Sequence, residues 1–179
     1  LEAGHVQSRP VPFMLHDLLT NLIEPARRKI NARGLQAEVA EPDDLPQLVI
    51  GDLEHLRQIF EHLIDNAIKF TEHGHIRLAA RLVEQTAEQV RIEFSVADTG
   101  HGIAPEMLKL IDGLLVQADG SSVRNHGGIG VGLAIVRRLV ALMGGVLQID
   151  SQPGVGSTFR FTLPFAQPNV DSGADQLQA

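Results

Sequence analysis

Two apolar periodicities alternate along this chain, and their alternation limits the possible folds more than any other feature. Helical spacing runs through residues 15–30, 53–68 and about 130–143. The segments between them have the composition of short strands, and turn residues join several of them as hairpins. Because helices interleave with hairpin-connected strands, we predict an α/β fold. The expected architecture is a two-layer α/β sandwich, with a mixed, mostly antiparallel sheet packed on three helices.

The predicted boundaries follow from turn and helix-stop residues. Pro25 falls inside the first helical run and predicts either a kink or two abutting helices. Asp52 is expected to cap the second helix. Residues 98–128 are rich in glycine and polar residues, with one apolar cluster within them and no predicted helix. The predicted strands are 35–40, 48–50, 76–83, 90–97, 146–150 and 158–163, after a short extended piece at 11–14.

Composition excludes several classes of protein. The 179 residues include no cysteine, which excludes a disulfide scaffold and a thiolate zinc site. Lys and Arg total 15 against 22 Asp and Glu, a formal net charge of −7, so we expect no nucleic-acid partner. No apolar run approaches the roughly 20 residues of a membrane span. We therefore expect a soluble, intracellular, single-domain chain.

The first polar cluster lies on the second helix, in the run HLIDNAIKF. His62, Asn66 and Lys69 are four and three residues apart, so they project from one helix face. A neutral amide oxygen suits hydrated Mg²⁺, and a lysine one turn later can meet a phosphate as a point charge. The alternative is a solvated polar face. The spacing alone leaves both explanations open, with His62, Asn66 and Lys69 as candidate catalytic residues and Asn66 as the candidate metal ligand.

The second cluster, Asp98-Thr99-Gly100-His101-Gly102-Ile103, follows a buried apolar strand. Asp98 can accept a hydrogen bond from an exocyclic amine, while Gly100 and Gly102 allow the backbone to approach a flat ligand. Asp-Thr-Gly also occurs in ordinary turns. Aspartic proteases use a similar tripeptide, but they need two such loops, and only one is present here.

Two further glycine clusters follow. Residues 127–133, GGIGVGL, open the third helix, where backbone N–H groups form an anion site. A Rossmann fingerprint does not fit because no strand leads directly into this run, and a Walker loop does not fit because no Gly-Lys-Ser/Thr follows. Residues 154–159, GVGSTF, would by themselves be only a hairpin turn.

In this order and spacing, the four clusters resemble the ATP-binding catalytic domain of bacterial hybrid sensor histidine kinases. That domain belongs to the superfamily shared with gyrase, Hsp90 and MutL. The resemblance covers residues 1–165 and implies ATP and Mg²⁺ as ligands, with Asn66 at the metal and Asp98 at the adenine amine. The other implied nucleotide contacts are Lys69, Gly102, Gly128, Gly130, Gly132, Leu133 and Thr158. Gly100 and Arg124, which precedes the GGIGVGL cluster, are further candidates from their own chemistry.

The resemblance also implies a reaction and partners. The γ-phosphoryl group of ATP would pass to a histidine on a separate dimerisation domain, and a response-regulator receiver domain or another sensor kinase would be a further partner. The full protein would be dimeric and membrane-associated, with this domain in the cytoplasm beneath the inner membrane. Residues 1–9 would end the dimerisation-helix linker, 10–165 would form the catalytic domain, and 166–179 would be a disordered linker.

Three positions depart from the family pattern. ATP-hydrolysing members have a glutamate, and sensor kinases usually an asparagine, where this chain has His62. The family has a lid segment before the cluster that corresponds to GGIGVGL here, and Asp112 and Leu115 stand where that lid has phenylalanines. These changes leave open an alternative: a degenerate kinase-like domain, with weak or no ATP and Mg²⁺ binding, that regulates signalling by binding a partner kinase. The missing glutamate disfavours a third possibility, an ATP hydrolase.

Overall fold

A computed structural model describes residues 8–116 and 130–168 of the chain. Seven strands and four helices lie in these two ranges. In chain order they are β1 (Val11–Met14), α1 (Leu15–Ala32), β2 (Gln36–Ala40), β3 (Leu48–Gly51), α2 (Leu53–Phe70), β4 (His75–Gln85), β5 (Gln89–Asp98), α3 (Pro105–Val116), α4 (Gly130–Leu142), β6 (Leu147–Gln152) and β7 (Gly156–Ala166).

The strands form one sheet in the order β1-β3-β7-β5-β4-β2, with β6 also paired to β7. The pair β2–β4 is parallel, and the other pairs among the described strands are antiparallel. This confirms the predicted mixed, mostly antiparallel sheet. Strand β5 is central, and its last residue, Asp98, pairs with Ile76 on one side and Ser157 on the other.

The core lies between the sheet and the helices. Alternate residues of β5 are buried, and the residues between them are more exposed, as expected for a sheet with one covered face. Phe60 of α2 packs edge-on against Phe94 of β5, with ring centroids 5.5 Å apart, and against Phe161 of β7 at 5.7 Å. The apolar stripe of α2 is thereby joined to the middle of the sheet, which confirms the two-layer α/β architecture.

The helix count differs from the predicted three because α3 forms at Pro105–Val116. The prediction missed it because glycine and polar residues surround the segment and hide its apolar spacing. Proline is well tolerated in the first turn of a helix, and Ile111 is buried against the core. Helix α1 runs without interruption through Pro25, whose ring is exposed, so the chain does not form two abutting helices.

The last strand is longer than predicted and ends at Ala166. Just beyond it, the Gln167 backbone N–H donates to the Glu88 carbonyl at 2.9 Å, and its side-chain amide donates to the Thr86 carbonyl at 3.0 Å. The division of the chain at residues 9 and 165 stays a prediction, since residues 1–7 and 169–179 lie outside the described ranges. None of the helices described is both long and apolar enough to cross a membrane.

Candidate functional site

A narrow cleft lies where the C-terminal turns of α2 meet the adjacent ends of β5 and β7. Asn66 and Phe70 approach it from the helix, and Asp98 and Ser157 approach it from the paired strands. The structure therefore brings together residues from three of the four sequence clusters. The cleft is lined by Asn66, Phe70, Asp98, Gly102, Ile103, Ser157 and Phe159.

Asp98 is a half-buried hydrogen-bond acceptor in this cleft. Its Oδ1 accepts the Gly100 backbone N–H at 2.9 Å, and the Ser157 backbone N–H also donates to the carboxylate. Burial raises the pKa of Asp98 above its ordinary value, and the two backbone donors and His101 only partly offset this effect. A ligand that donates to the carboxylate, such as an exocyclic amine, would compensate the cost of keeping it charged.

Gly100 and Gly102 shape the loop after β5 by letting it pack against neighbouring backbone. A Cβ on Gly100 would lie 2.3 Å from the Phe70 carbonyl oxygen, and one on Gly102 would lie 2.1 Å from the Gln152 carbonyl oxygen. Gly102 also has a φ of +71°, which glycine adopts readily. The sequence predicted that these two glycines make room for a flat ligand. The structure shows that the packing of the chain itself requires them.

Asn66 has the clearest unmet hydrogen-bonding need in the cleft. Its Nδ2 is buried and has no hydrogen-bond partner among the described residues. Native structures rarely leave such a group unpaired, which points to a ligand or bound water here. If a phosphate oxygen or water accepts from Nδ2, Oδ1 is free for a hard cation that keeps waters and phosphate oxygens as its other ligands. The residue present therefore fits Mg²⁺.

His62 and Lys69 share this face of α2 but have different surroundings. His62 is half-exposed, and its Nδ1 lies 3.7 Å from the position a Cβ would take on Gly132 in the first turn of α4. Lys69 is exposed, and its Nζ lies 5.2 Å from the centroid of the Phe70 ring that lines the cleft. All three predicted residues lie within α2 at helical spacing, and the His62 ring lies beside α4.

The third glycine cluster is described only from Gly130, the first residue of α4. Leu133, predicted beside the triphosphate, has a fully buried side chain in the core. Arg124 and Gly128 lie outside the described residues. Asp112 and Leu115 belong to α3, but their side chains are not among those described.

Ser157 occupies the place on β7 that the sequence analysis assigned to Thr158. Neighbouring residues of a strand point to opposite faces, and Ser157 shares the buried face with Phe159. Thr158 pairs instead with Ala97 and Asp150, and its side chain lies on the other face. Side chains alternate between the two faces of a strand, and Phe159 and Phe161 lie on the buried face. Counting back two residues from Phe159 would have identified Ser157.

Comparison with known proteins defines the class of this domain. The family model "Histidine kinase-, DNA gyrase B-, and HSP90-like ATPase" matches residues 51–167, and the chain belongs to this family. Within this family, two similar curated proteins are histidine kinases. The chain therefore contains the ATPase-like domain of this family, as the sequence motifs predicted.

Two curated relatives and one solved structure show how far the similarity extends. The chain is 37% identical to the signal transduction histidine-protein kinase BarA of Escherichia coli K12, over 95% of this chain and 19% of BarA. It is 35% identical to hybrid signal transduction histidine kinase B of Dictyostelium discoideum, over 95% of this chain and 9% of that protein. The crystal structure of full-length ShkA in complex with AMPPNP superposes with a TM-score of 0.75 at 32% identity, covering 93% of this chain and 33% of ShkA. The chain thus spans a fifth or less of these two curated relatives.

Proposed function

We propose that this chain binds Mg-ATP in the cleft and presents the γ-phosphoryl group to a histidine on a dimerisation domain outside this sequence. One observation carries the proposal. Asn66 and Asp98 come from a helix and a strand, yet they line the same cleft with complementary chemistry. Among the described residues, the buried Nδ2 of Asn66 has no hydrogen-bond partner, and the Asp98 carboxylate bears the cost of burial. A ligand with phosphates at one end and an exocyclic amine at the other would satisfy both.

The protein's part in this reaction is positioning and charge neutralisation. Phosphoryl transfer needs little covalent chemistry from the enzyme. Asp98 would accept a hydrogen bond from the adenine amine, and Asn66 would hold the cation through its amide oxygen. Lys69 would approach the phosphates from the exposed face of α2. When bound, Mg²⁺ would neutralise phosphate charge. The first turn of α4, which begins at Gly130, would direct backbone N–H groups at phosphate oxygens.

The partners we propose follow from the relatives. Because the chain spans 19% of BarA, the rest of such a protein has room for a dimerisation and phosphoacceptor domain. The similarity to a hybrid kinase supports a receiver domain as the next acceptor, with another sensor kinase as a further partner. We place the domain in the cytoplasm, as part of a dimeric, membrane-associated sensor.

A second candidate function is a degenerate domain that binds nucleotide weakly or not at all and regulates a partner kinase. Two departures from the family pattern favour it: the imidazole of His62 beside the metal position and the charged Asp112 in the lid. Imidazole is a poorer ligand for Mg²⁺ than an amide oxygen. Both candidates use the same fold, so nucleotide binding discriminates between them.

Calorimetric titration with a non-hydrolysable ATP analogue, with and without Mg²⁺, tests the proposal. We expect micromolar binding that Mg²⁺ strengthens. Asp98→Asn should weaken it by about 1.5–3 kcal/mol, or roughly 10- to 150-fold, because a hydrogen bond to a charged group is lost. Asp65→Asn is the matched control, since Asp65 is an exposed residue of α2 outside the cleft. If a demonstrably folded sample binds no nucleotide, the regulatory function replaces this one.

A further inference from the structure

We propose that an apolar block on the outer face of the sheet is the docking surface for an amphipathic helix of the dimerisation domain that precedes this sequence. The apolar block comprises two cross-strand pairs of β1 and β3, Pro12–Ile50 and Met14–Leu48. The inference goes beyond the proposed function and rests on it only for the presence of that dimerisation domain.

The pairing of β1 with β3 makes the four side chains one contiguous surface. Residues that pair across an antiparallel ladder have neighbouring side chains, and residues two apart on a strand share a face. Phe13 and Val49, which lie between the members of the block on the two strands, are buried in the core. The apolar block therefore lies on the opposite, outer face of the sheet.

The outer face is charged elsewhere, so its apolar character at β1 and β3 is local. Over β4 and β5 this face carries Arg77, Arg81 and Glu93, and the last two form an ion pair at 3.1 Å. Such polarity is expected where one face of an antiparallel sheet meets water. In the apolar block, Met14 is 40% exposed and Leu48 is 38% exposed. Contiguous exposed apolar side chains with polar surroundings are typical of an interaction surface.

The chain enters the domain next to the apolar block and is fixed at both ends of β1. The Arg9 backbone N–H donates to the buried carboxylate of Asp52 at 3.0 Å. At the other end, the Leu15 backbone N–H donates to the Gln47 carbonyl at 3.1 Å. A domain that precedes this sequence is therefore joined to the molecule within a few residues of the block.

The size of the apolar block favours a tethered occupant over a second copy of this chain. The exposed parts of four side chains fall far short of the roughly 800 Å² that each partner buries in a stable complex of separate proteins. A tether of about ten residues raises the effective concentration of a linked segment to the millimolar range, so a small apolar contact suffices. Most of a protein such as BarA lies outside the region that this chain matches, which is 19% of BarA.

Acidic residues near the apolar block define the chemistry of the occupant further. Asp17 follows Met14 closely in the chain, Asp43 and Asp44 precede Leu48, and all three acidic residues are exposed. A helix with an apolar stripe flanked by Lys or Arg would complement this surface. We therefore expect an amphipathic helix with basic residues beside its apolar stripe.

Docking at the apolar block would leave the nucleotide cleft free. Helix α2 has 18 residues and is about 27 Å long, with Asp52 at its first end and Asn66 near its last turn. The proposed contact lies at the Asp52 end, so it can coexist with a bound nucleotide. Because Asp52 joins the entering chain to α2, a shift of the docked helix would also act on the helix that carries Asn66.

Site-specific photo-cross-linking in the full-length protein tests the occupant. Benzoylphenylalanine replaces Leu48 in one sample and Val83, an exposed residue of β4 outside the block, in the control. Mass spectrometry then maps the linked peptides. We expect position 48 to link to a helix of the dimerisation domain and position 83 to link to no part of that domain. Links from position 48 to a second catalytic domain or to a receiver domain, or no links from it, would overturn the inference.

A second test measures whether the apolar block is covered. Oxidation of Met14 by dilute peroxide should be about fivefold or more slower in the full-length protein than in the 179-residue chain, because a covered thioether is less accessible. Leu48→Glu in the full-length protein should remove most of this protection, and Val83→Glu should keep it. Circular dichroism checks that each variant is folded. Equal oxidation rates of Met14 in the two wild-type proteins contradict the inference.

Nucleotide titration of the same full-length variants separates this inference from the proposed function. Leu48 lies outside the cleft, so Leu48→Glu should keep the affinity for a non-hydrolysable ATP analogue within about twofold of wild type. Analogue binding without the cross-link from position 48 refutes the docking surface alone. A cross-link to the dimerisation domain in folded protein that binds no analogue refutes the proposed Mg-ATP function alone.

Discussion

At the scale of single residues, Asp98 shows the conflict between folding and binding most clearly. Its carboxylate is half-buried at the end of β5, and burial raises its pKa despite two backbone donors. The folded chain therefore binds a proton at Asp98 more readily than the unfolded chain does. Keeping this group charged near neutral pH costs stability that a bound amine donor would restore.

This conflict predicts a specific pH dependence. In the window between about pH 3.9, the ordinary aspartate pKa, and the raised pKa of Asp98, the folded state holds more protons than the unfolded state. The free energy of unfolding of the wild type, relative to Asp98→Asn, should therefore fall as pH rises through that window. Urea titrations of both proteins at stepped pH measure the difference, in which the other titrating groups cancel. A difference that rises with pH would contradict the prediction.

At the scale of elements, α2 links the chain's beginning to its site. Its N-cap, Asp52, is buried and accepts the backbone N–H groups of His55 and Arg9, each at 3.0 Å. The His55 ring Nδ1 lies 2.8 Å from the same carboxylate. Burial acts to raise the pKa of Asp52, but the two backbone donors and His55 together hold it below its ordinary value. The other end of the helix carries Asn66, so the orientation set at the cap also positions the cleft.

Removing this cap should destabilise the domain. We expect Asp52→Ala to lower the free energy of unfolding by about 1–2 kcal/mol, and Asp52→Asn to lower it less, since asparagine also caps helices. Because the pKa of Asp52 is lowered, its contribution is present above about pH 3.9 and is lost as pH falls through its folded pKa. Thermal unfolding at neutral pH measures the loss. Glu54→Ala, at an exposed first-turn position, is the control and should change stability by a few tenths of a kcal/mol.

At the scale of the whole molecule, aromatic contacts hold the two layers together. Phe60 lies on the helical side, and Phe94 and Phe161 lie on adjacent strands of the sheet, with centroids of the latter two 5.6 Å apart. Phe94 also meets Phe165 edge-on at 6.0 Å, which extends the cluster along β7. Because Phe94 contacts three other rings, it is the centre of this core.

Truncating Phe94 should therefore affect the entire domain. We expect Phe94→Ala to cost about 3–5 kcal/mol and Phe94→Leu to cost clearly less, because leucine leaves a smaller cavity. Urea unfolding of both variants measures the costs, and the milder variant keeps the test readable if Phe94→Ala fails to fold. Leu142→Ala, at an exposed position of α4, is the control and should stay within about 0.5 kcal/mol of wild type. Equal losses for Phe94→Ala and Leu142→Ala would contradict this account of the core.

Local sequence patterns were enough to predict most of the elements. The apolar spacing of α1, α2 and α4 and the hairpin of β4 and β5 were predicted with small boundary errors, because each depends on residues a few positions apart. The cap at Asp52 was readable for the same reason. The polar residues of the site were also identifiable, since His62, Asn66 and Asp98 interrupt or end regular apolar runs.

The tertiary structure decided which other parts of the chain these residues contact. Helix α3 could not be predicted, because its apolar residues are stabilised by a core contact at Ile111 that local spacing does not reveal. The parallel pairing of β2 with β4, and the backbone packing that demands glycine at position 102, join segments distant in the chain. Whether Ser157 or Thr158 faces the cleft depends on the register of β7 against β5. Periodicity is a local property of the chain, whereas register and long-range packing are set only when the sheet and helices assemble. The sequence therefore determined the candidate groups, and the fold determined that Asn66 and Asp98 share one cleft.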